Sequence, residues 1–481
     1  MSRVEIGGRT GEPAGLPVVI QGGMGIGVSG WRLARAVSLA GQLGVVSGVA
    51  LDALVARRLQ LGDPGGHLRR ALGAFPVPAV AERVLARHFV PGGIGPRTPY
   101  RNLARPSLAP ERAGTELAVV ANFAEVHLAK EGHDGLVGIN YLEKTQMANP
   151  AALYGAMLAG VDYVLVGAGI PAAFPRLVDS LAAGEPAGLS VDVAGGATAP
   201  LTVTPFAGSA GRPPRRPGVL AVVASHVLAA FLARDDRTRP DGFVVEGPVA
   251  GGHVVPPRGP LELDGSGEPV YGPRDVVDLE RLRALGLPFW LAGGRAHPDA
   301  VREARAEGAA GVQVGSAFAL CEESGLAPEL RRAVVEGALA GTLRVRTDPV
   351  VSPTGFPFKV AELAGTLSDD GASRERRRVC DAGYLRQAYR GPDGRTGYRC
   401  PAEPVAAYLR KGGRREDTAG RCCLCNALLA AAGLGQRRSS GSSEPPIVTI
   451  GQDLSFLPAL ASGSRTYGAA EVVAYLLGGA A

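Results

Sequence analysis

Four groups of residues in this chain of 481 have types and spacings that could do chemistry. The first is 21-QGGMGIGVSG-30, whose small residues let the backbone approach a flat ring or a phosphate closely, or simply make a tight turn. It is not the dinucleotide fingerprint, because no acidic residue ends a matching second strand. The second is 246-EGPVAGGH-253, where His253 follows two glycines. A histidine there can act as a general acid or base, or donate a hydrogen bond to a ring or carbonyl. The third is the pair 292-AGG-294 and 313-QVGS-316, whose backbone N–H groups, with the Ser316 hydroxyl, could hold a phosphate. The fourth is Cys380, Cys400, Cys422, Cys423 and Cys425, all within 46 residues. Thiolates at that density, with Cys380, Cys400, Cys423 and Cys425 as ligands, can bind zinc tetrahedrally or an iron–sulfur cluster. The paired C-x2-C knuckles of a zinc ribbon are absent, so unliganded thiols are the third option.

Other polar residues read as structural. His67, His88 and His133 have no partner at metal-ligand spacing. His127 and Glu131 are spaced for a solvated helix face, and Cys321 for a core thiol. The run 352-SPTGFPFK-359 is either an active-site loop supplying Lys359 or a turn-rich link.

The elements that must position these groups follow from the apolar runs. Residues 17–21, 44–48, 135–140, 161–167, 218–225, 241–247, 288–294 and 310–316 are short and β-branched-rich, each followed by a glycine-rich or polar turn. Continuous runs of this length suit strands buried on both faces. Helical patterns lie between them, as at 30–41, 149–160, 171–184 and 298–308. Eight strands alternating with helices predict an α/β fold, a (β/α)8 TIM barrel over residues 14–345, with a doubly wound open sheet as the runner-up. A helical insertion is expected over about 50–134, and another long spacer over 185–217 with a short strand at 200–206. Residues 346–481 form a C-terminal extension with a Cys-rich module at about 375–435. Within it, 436–446 reads as a flexible linker or exposed loop, 447–451 as a short strand and 469–477 as a helix. In such a barrel, function collects at the C-terminal ends of the strands, which is where the first three groups fall.

Composition narrows the class. Apolar residues make up 46%, enough for a sizeable core. The formal net charge of +6 comes from basic residues spread along the chain, which speaks against nucleic-acid binding. No apolar run suits a signal peptide or a membrane span, so a soluble cytoplasmic protein is expected. Six cysteines in a long chain of that kind favour free thiols or a metal over disulfides.

Taken in order, 21-QGGMG-25, 246-EGPVAGGH-253, 292-AGG-294 and 312-VQVGSAF-318 resemble the nitronate monooxygenase (2-nitropropane dioxygenase-like) family over roughly residues 14–345. The resemblance implies an FMN-binding TIM barrel. Gly22, Gly23 and Met24 would lie against the isoalloxazine ring, and Asn140 would bind the flavin or its ribityl chain. Gly251 and Gly252 would approach the flavin, and His253 would be the catalytic or substrate-contacting histidine. Gly293, Gly294, Gln313, Gly315 and Ser316 would hold the FMN phosphate and its surroundings. Two positions depart from the family. Gly stands where many relatives have Ala-Pro before Met, and 224-ASH-226 stands where smaller relatives carry a Lys, with Ser225 or His226 as substitutes. The implied activity is FMN-dependent oxidation of a nitronate or similar small carbanion by O2. The alternative is an NAD(P)H- and FMN-dependent enoyl-thioester reductase serving an acyl carrier protein, since the insertion and extension bring the length nearer to the trans-acting enoyl reductases. A non-catalytic flavin- or zinc-binding assembly protein is the third reading. The oligomeric state is left open.

Overall fold

The computed structural model describes residues 15–208, 213–462 and 466–479. Fourteen strands are assigned among them. Eight form one all-parallel sheet: β1 (Val19–Gln21), β2 (Gly44–Ser47), β3 (Val137–Leu142), β4 (Tyr163–Gly167), β7 (Gly218–Val223), β8 (Gly242–Glu246), β9 (Phe289–Ala292) and β10 (Gly311–Val314). Their spatial order is β1-β10-β9-β8-β7-β4-β3-β2. A parallel bridge between Ile20 and Leu43 joins β1 to β2 and closes the ring. Gln21 N donates to Leu43 O at 3.0 Å, and Leu43 N to Val19 O at 3.2 Å. The fold is therefore the expected (β/α)8 barrel.

The barrel interior is filled by inward side chains, among them Ile20, Val45, Leu165, Leu220, Val244 and Trp290. Trp290 is fully buried, and its indole N–H donates to Pro17 O at 2.7 Å, so its one polar atom is satisfied. Each such aliphatic or aromatic side chain contributes about 1.5–3 kcal/mol by leaving water. Outward faces of the same strands pack on the helices, which is why the runs read as continuously apolar rather than alternating.

The insertion is helical as expected, with helices at Leu51–Gln60, His67–Gly73 and Pro78–His88. It returns through the 19-residue helix Arg112–Lys130, which occupies the place of the second barrel helix beside β3. Buried Glu125 on that helix accepts from Trp31 N at 2.9 Å and pairs with Arg58 at 2.7 Å.

Three expectations about the periphery are corrected. The 185–217 spacer holds a hairpin, β5 (Ala187–Ala194) with β6 (Ala197–Val203), rather than one strand. Strand β5 also pairs with β13 (Gln387–Arg390), itself in a hairpin with β14 (Thr396–Arg399). The Cys-rich segment thus shares a sheet with the barrel's own spacer. Of the two readings of residues 436–446, the exposed loop holds, with 439–443 exposed, while the flexible linker does not, because the loop's ends are tied down. Arg438 grips Asp381 at 2.9 and 2.7 Å, and Gln436 Nε2 donates to Tyr100 O at 3.1 Å. Residues 447–451 form no strand. They run as an extended strap held by Ala361 N donating to Val448 O at 3.0 Å. The helix Ala469–Leu476 is present as expected. A last hairpin, β11 (Val345–Asp348) with β12 (Phe358–Ala361), leads from the barrel into the extension. Among the described residues, no helix is long and apolar enough to cross a membrane.

Candidate functional site

A cavity of ≈ 200 Å³ opens at the C-terminal ends of the barrel strands. The barrel residues expected to hold the flavin or meet the substrate line it, Ser225 and His226 excepted. Gly22, Gly23 and Met24 come from the loop after β1, Asn140 from β3, and Gly251, Gly252 and His253 from the loop after β8. Gly293 and Gly294 follow β9, Gln313 is on β10, and Gly315 and Ser316 follow it.

Local chemistry fixes these loops. Gln21, buried at the end of β1, accepts from Val45 N at 2.9 Å and donates to Ser29 Oγ at 2.9 Å. Ser29 Oγ accepts from Met24 N at 3.0 Å and lies 3.0 Å from Gly22 O. The glycine loop is therefore held from its own two ends. Gly23 cannot be replaced without movement, because a Cβ there would sit 2.3 Å from Asn140 Cβ. At Gly251 a Cβ would sit 2.9 Å from the backbone N of Gly451.

His253 is braced from the extension. Its Nε2 and Ser352 Oγ share a hydrogen bond at 2.7 Å, and Ser352 Oγ in turn lies 2.8 Å from Thr354 Oγ1. Its ring meets Phe358 edge-on at 4.8 Å. The backbone is pinned too, with Lys359 N donating to Gly252 O at 2.9 Å and Val254 N to Pro357 O at 3.0 Å. Burial lowers the imidazole pKa to about 4, so the ring is neutral near pH 7. A neutral, oriented imidazole can accept a proton from a carbon or oxygen acid.

Run 352–359 thus reaches the site: Phe358 lines the cavity, and Ser352 braces His253 from behind it. Lys359 itself is 1% exposed and does not line the cavity, which corrects the idea that the loop supplies it there. Its ammonium donates to Thr347 Oγ1 and to Gln452 Oε1 at 2.7 Å. Gln452 Nε2 donates to Glu268 Oε2 at 3.0 Å. Burial lowers the Lys359 pKa to about 8, with Glu268 opposing.

That clasp holds a strap the sequence reading placed at the periphery. Thr449 Oγ1 accepts from Gly252 N at 2.9 Å, Gly451 N donates to Ser316 Oγ at 2.8 Å, and Gln452 N donates to Val249 O at 3.2 Å. Thr449, Ile450, Gly451 and Asp453 line the cavity. The only signal was an apolar run broken by Gly451, which looks like any short strand. Glu246, the last residue of β8, also lines the cavity and was passed over, although it opens the glycine motif.

Two sequence expectations do not reach the site. Ser225 caps the helix His226–Ala233, accepting from Leu228 N at 3.0 Å, and His226 Nδ1 accepts from Asp278 N at 3.3 Å. Neither lines the cavity, so neither stands in for the missing Lys.

The metal expectation finds no support among the described residues. Burial is the largest cause of the raised pKa at Cys380, Cys400, Cys423 and Cys425, and neighbouring thiols add to it at the last three. Cys400, Cys423 and Cys425 are packed into the large apolar cluster beneath the insertion helices. Among the described residues, no group of three or more His, Cys, Asp or Glu is arranged to hold a metal ion. All six cysteines are free, and Cys321 is a core thiol donating to Phe318 O at 3.0 Å, as expected. His127 is no solvated face, because its ring stacks on Phe123 at 5.3 Å.

The nitronate monooxygenase family model matches residues 217–349, the stretch from β7 to β11 that carries His253 and the loops after β9 and β10. A probable nitronate monooxygenase of Bacillus subtilis (strain 168) is 36% identical over 119 residues, 25% of this chain and 32% of that protein. The match therefore spans about a third of that curated relative's length. Among solved structures, FabK from Thermotoga maritima aligns over 96% of this chain and 91% of its own, at 17% identity and a TM-score of 0.45. A nitroalkane oxidase from Streptomyces ansochromogenes aligns over 96% and 94%, also at 17% identity and 0.45.

Proposed function

With residues 217–349 of the nitronate monooxygenase kind, we propose that the chain is an FMN-dependent oxidoreductase acting on a small nitronate or similar carbanion with O2. The observation that carries this reading is Gln313 Oε1, a buried acceptor without a partner, on the wall of the cavity that the glycine loops and His253 share. A buried acceptor left open is costly unless a ligand completes it. The donor set suits FMN. Glycine backbone at residues 22–23 and 251–252 leaves room for a flat ring, and Gln313 offers an acceptor to a ring N–H or ribityl hydroxyl. The loops at 293–294 and 315–316 would take the phosphate end with backbone N–H groups and the Ser316 hydroxyl. When bound, FMN would supply the one- and two-electron chemistry that side chains lack. This chain's residues would bind and orient the substrate. Neutral His253, fixed through Ser352, would take the proton from the α-carbon of a nitroalkane or position its anion. The extension would shield the site from water.

The test is a visible spectrum of the purified protein, recorded anaerobically before and after a nitronate, then after NADPH. A flavin band that bleaches with nitronate and resists NADPH supports the proposal. Bleaching by NADPH alone supports the enoyl-thioester reductase with its acyl-carrier partner instead. No band after reconstitution with FMN defeats both.

A further inference from the structure

We propose that Glu246 is a second substrate-binding group of the cavity: a carboxylic acid held in its protonated form, donating a hydrogen bond to the anionic head of the substrate beside neutral His253. This rests on the reading that the cavity takes a small oxyanion-bearing substrate.

The geometry comes first. Glu246 ends β8 in register with Ala292, and Gly247 N donates to Ala292 O at 3.0 Å, so the strand is fixed up to the residue itself. The side chain reaches the cavity shared with His253 and the glycine loops. Among the described residues its carboxyl has no hydrogen-bond or ion-pair partner. Every other barrel strand ends in an uncharged residue at this level: Gln21, Ser47, Leu142, Gly167, Val223, Ala292 and Val314. Glu246 is thus the one carboxyl on the barrel's inner rim among them.

The surrounding charges cannot hold it as a carboxylate. The titratable groups on the cavity wall are His253, Arg295 and Asp453. His253 is neutral. Arg295 is turned to the helix Ala300–Ala306 and its end, pairing with Glu307 at 3.1 Å and reaching Glu303 at 4.0 Å. Asp453, from the strap, accepts from Ser455 N at 3.0 Å and adds negative charge. Neighbouring β7 and β9 present Val223 and Ala292. A lone carboxylate there would lack the pairing that offsets its desolvation, so it keeps its proton. Burial accordingly raises the Glu246 pKa to about 8. A neutral acid beside a neutral imidazole gives one group that donates and one that accepts, without net charge to repel an anion.

The sign of the pH dependence follows. Below about 8 the acid donates and anion binding is constant. Above it the proton leaves, the donor is lost and a negative charge replaces it, so affinity falls, by up to about tenfold per pH unit. His253 is already neutral through that range. Lys359 also titrates near 8, but it lies outside the cavity wall, and the variant below separates the two.

Two measurements test this. Infrared difference spectra between the wild type and Glu246→Gln, with or without flavin, should show a protonated carboxyl band at pH 7 that disappears through about pH 8. Absence of the band at pH 7 overturns the proposal whatever the cofactor. Calorimetric titration with nitrate, a planar oxyanion, should give a dissociation constant that is flat from pH 6 to 7.5 and rises above 8 in the wild type. In Glu246→Gln, which still donates through its amide, it should stay flat throughout. An equal rise in the variant assigns the slope to Lys359 and overturns the proposal. Failure to take up FMN with the band and the slope intact defeats the flavin reading alone.

Discussion

The barrel mouth and the Cys-rich segment carry the two strongest chemical signals in the sequence, and the fold treats them oppositely. At the mouth, polar groups are left incomplete around open space. Gln313 Oε1 has no partner, and Glu246 faces the cavity with His253. In the Cys-rich segment the thiols are packed into an apolar cluster and most charges are paired, although Arg376 Nη2, Arg399 Nε and Asn426 Oδ1 are buried there without a partner. Arg376 pairs with Glu444, Arg438 with Asp381 and Glu444, and Asn426 donates to Asp381 at 2.8 Å. Its thiols are pushed towards the protonated form, which is neither a good nucleophile nor a ligand. Reactive residue types therefore mark a site where the fold sets them beside open space; a buried polar atom without a partner is not enough by itself, since the Cys-rich segment holds three. The second region still serves the first. The extension to which it belongs carries the β11–β12 hairpin and the strap, which hold His253 and the loop at Ser316.

Four substitutions would break or sharpen that contrast, taken from the largest effect down. His253→Ala should lower turnover by about 10²–10⁴-fold while flavin content and melting temperature stay near wild type. A loss below tenfold would remove His253 from the chemistry. Gly23→Val should abolish flavin retention, since even its Cβ meets Asn140; overpacking of this kind costs about 1–3 kcal/mol or more. The flavin-to-protein absorbance ratio reads it, and an unchanged ratio would remove the Gly23 loop from the flavin site. Lys359→Met should cost about 1–3 kcal/mol by leaving Thr347 and Gln452 without their donor, and should weaken flavin binding through the loosened strap. Denaturant unfolding and flavin titration read the two effects, and an unchanged flavin affinity would separate the strap from the site. Cys400→Ser should do least: about 1 kcal/mol of stability, with no change in flavin content. Metal analysis of the wild type accompanies it. Stoichiometric zinc lost in the variant would overturn the view of this region as filled core.

Much of the site was legible because its signals are local. A strand buried on both faces must be apolar throughout, so 161-VDYVLVG-167 and 241-DGFVVEG-247 announce barrel strands from composition alone. Glycine is required where a Cβ would collide, as at Gly23 and Gly251, or where φ is positive, as at Gly252, so these loops announce themselves too. The strap at 447–453 had no such mark. Its function lies in bonds to Gly252, Ser316 and Val249, between about 135 and 203 residues away in the chain, and nothing in its own composition encodes them. The same holds for β5, whose partner β13 lies in the extension. Ser352 and Phe358 were within a run suspected of reaching the site, but the suspected residue was Lys359. Alternation along β12 decides which of the neighbouring residues faces His253, and a one-residue shift reverses it.

By itself the sequence determined the periods and the punctuation: eight buried strands, the helices between them and the glycine turns at their ends. Those depend on backbone sterics and on burial, which act residue by residue. Tertiary structure decided which polar groups remain incomplete. Whether Glu246 finds a cation, whether Lys359 faces a cavity or a clasp, and whether four nearby thiols close on an ion depend on groups brought from distant parts of the chain. Desolvation and pairing are properties of that assembled surrounding, so protonation and binding chemistry appear only once the chain has folded around them.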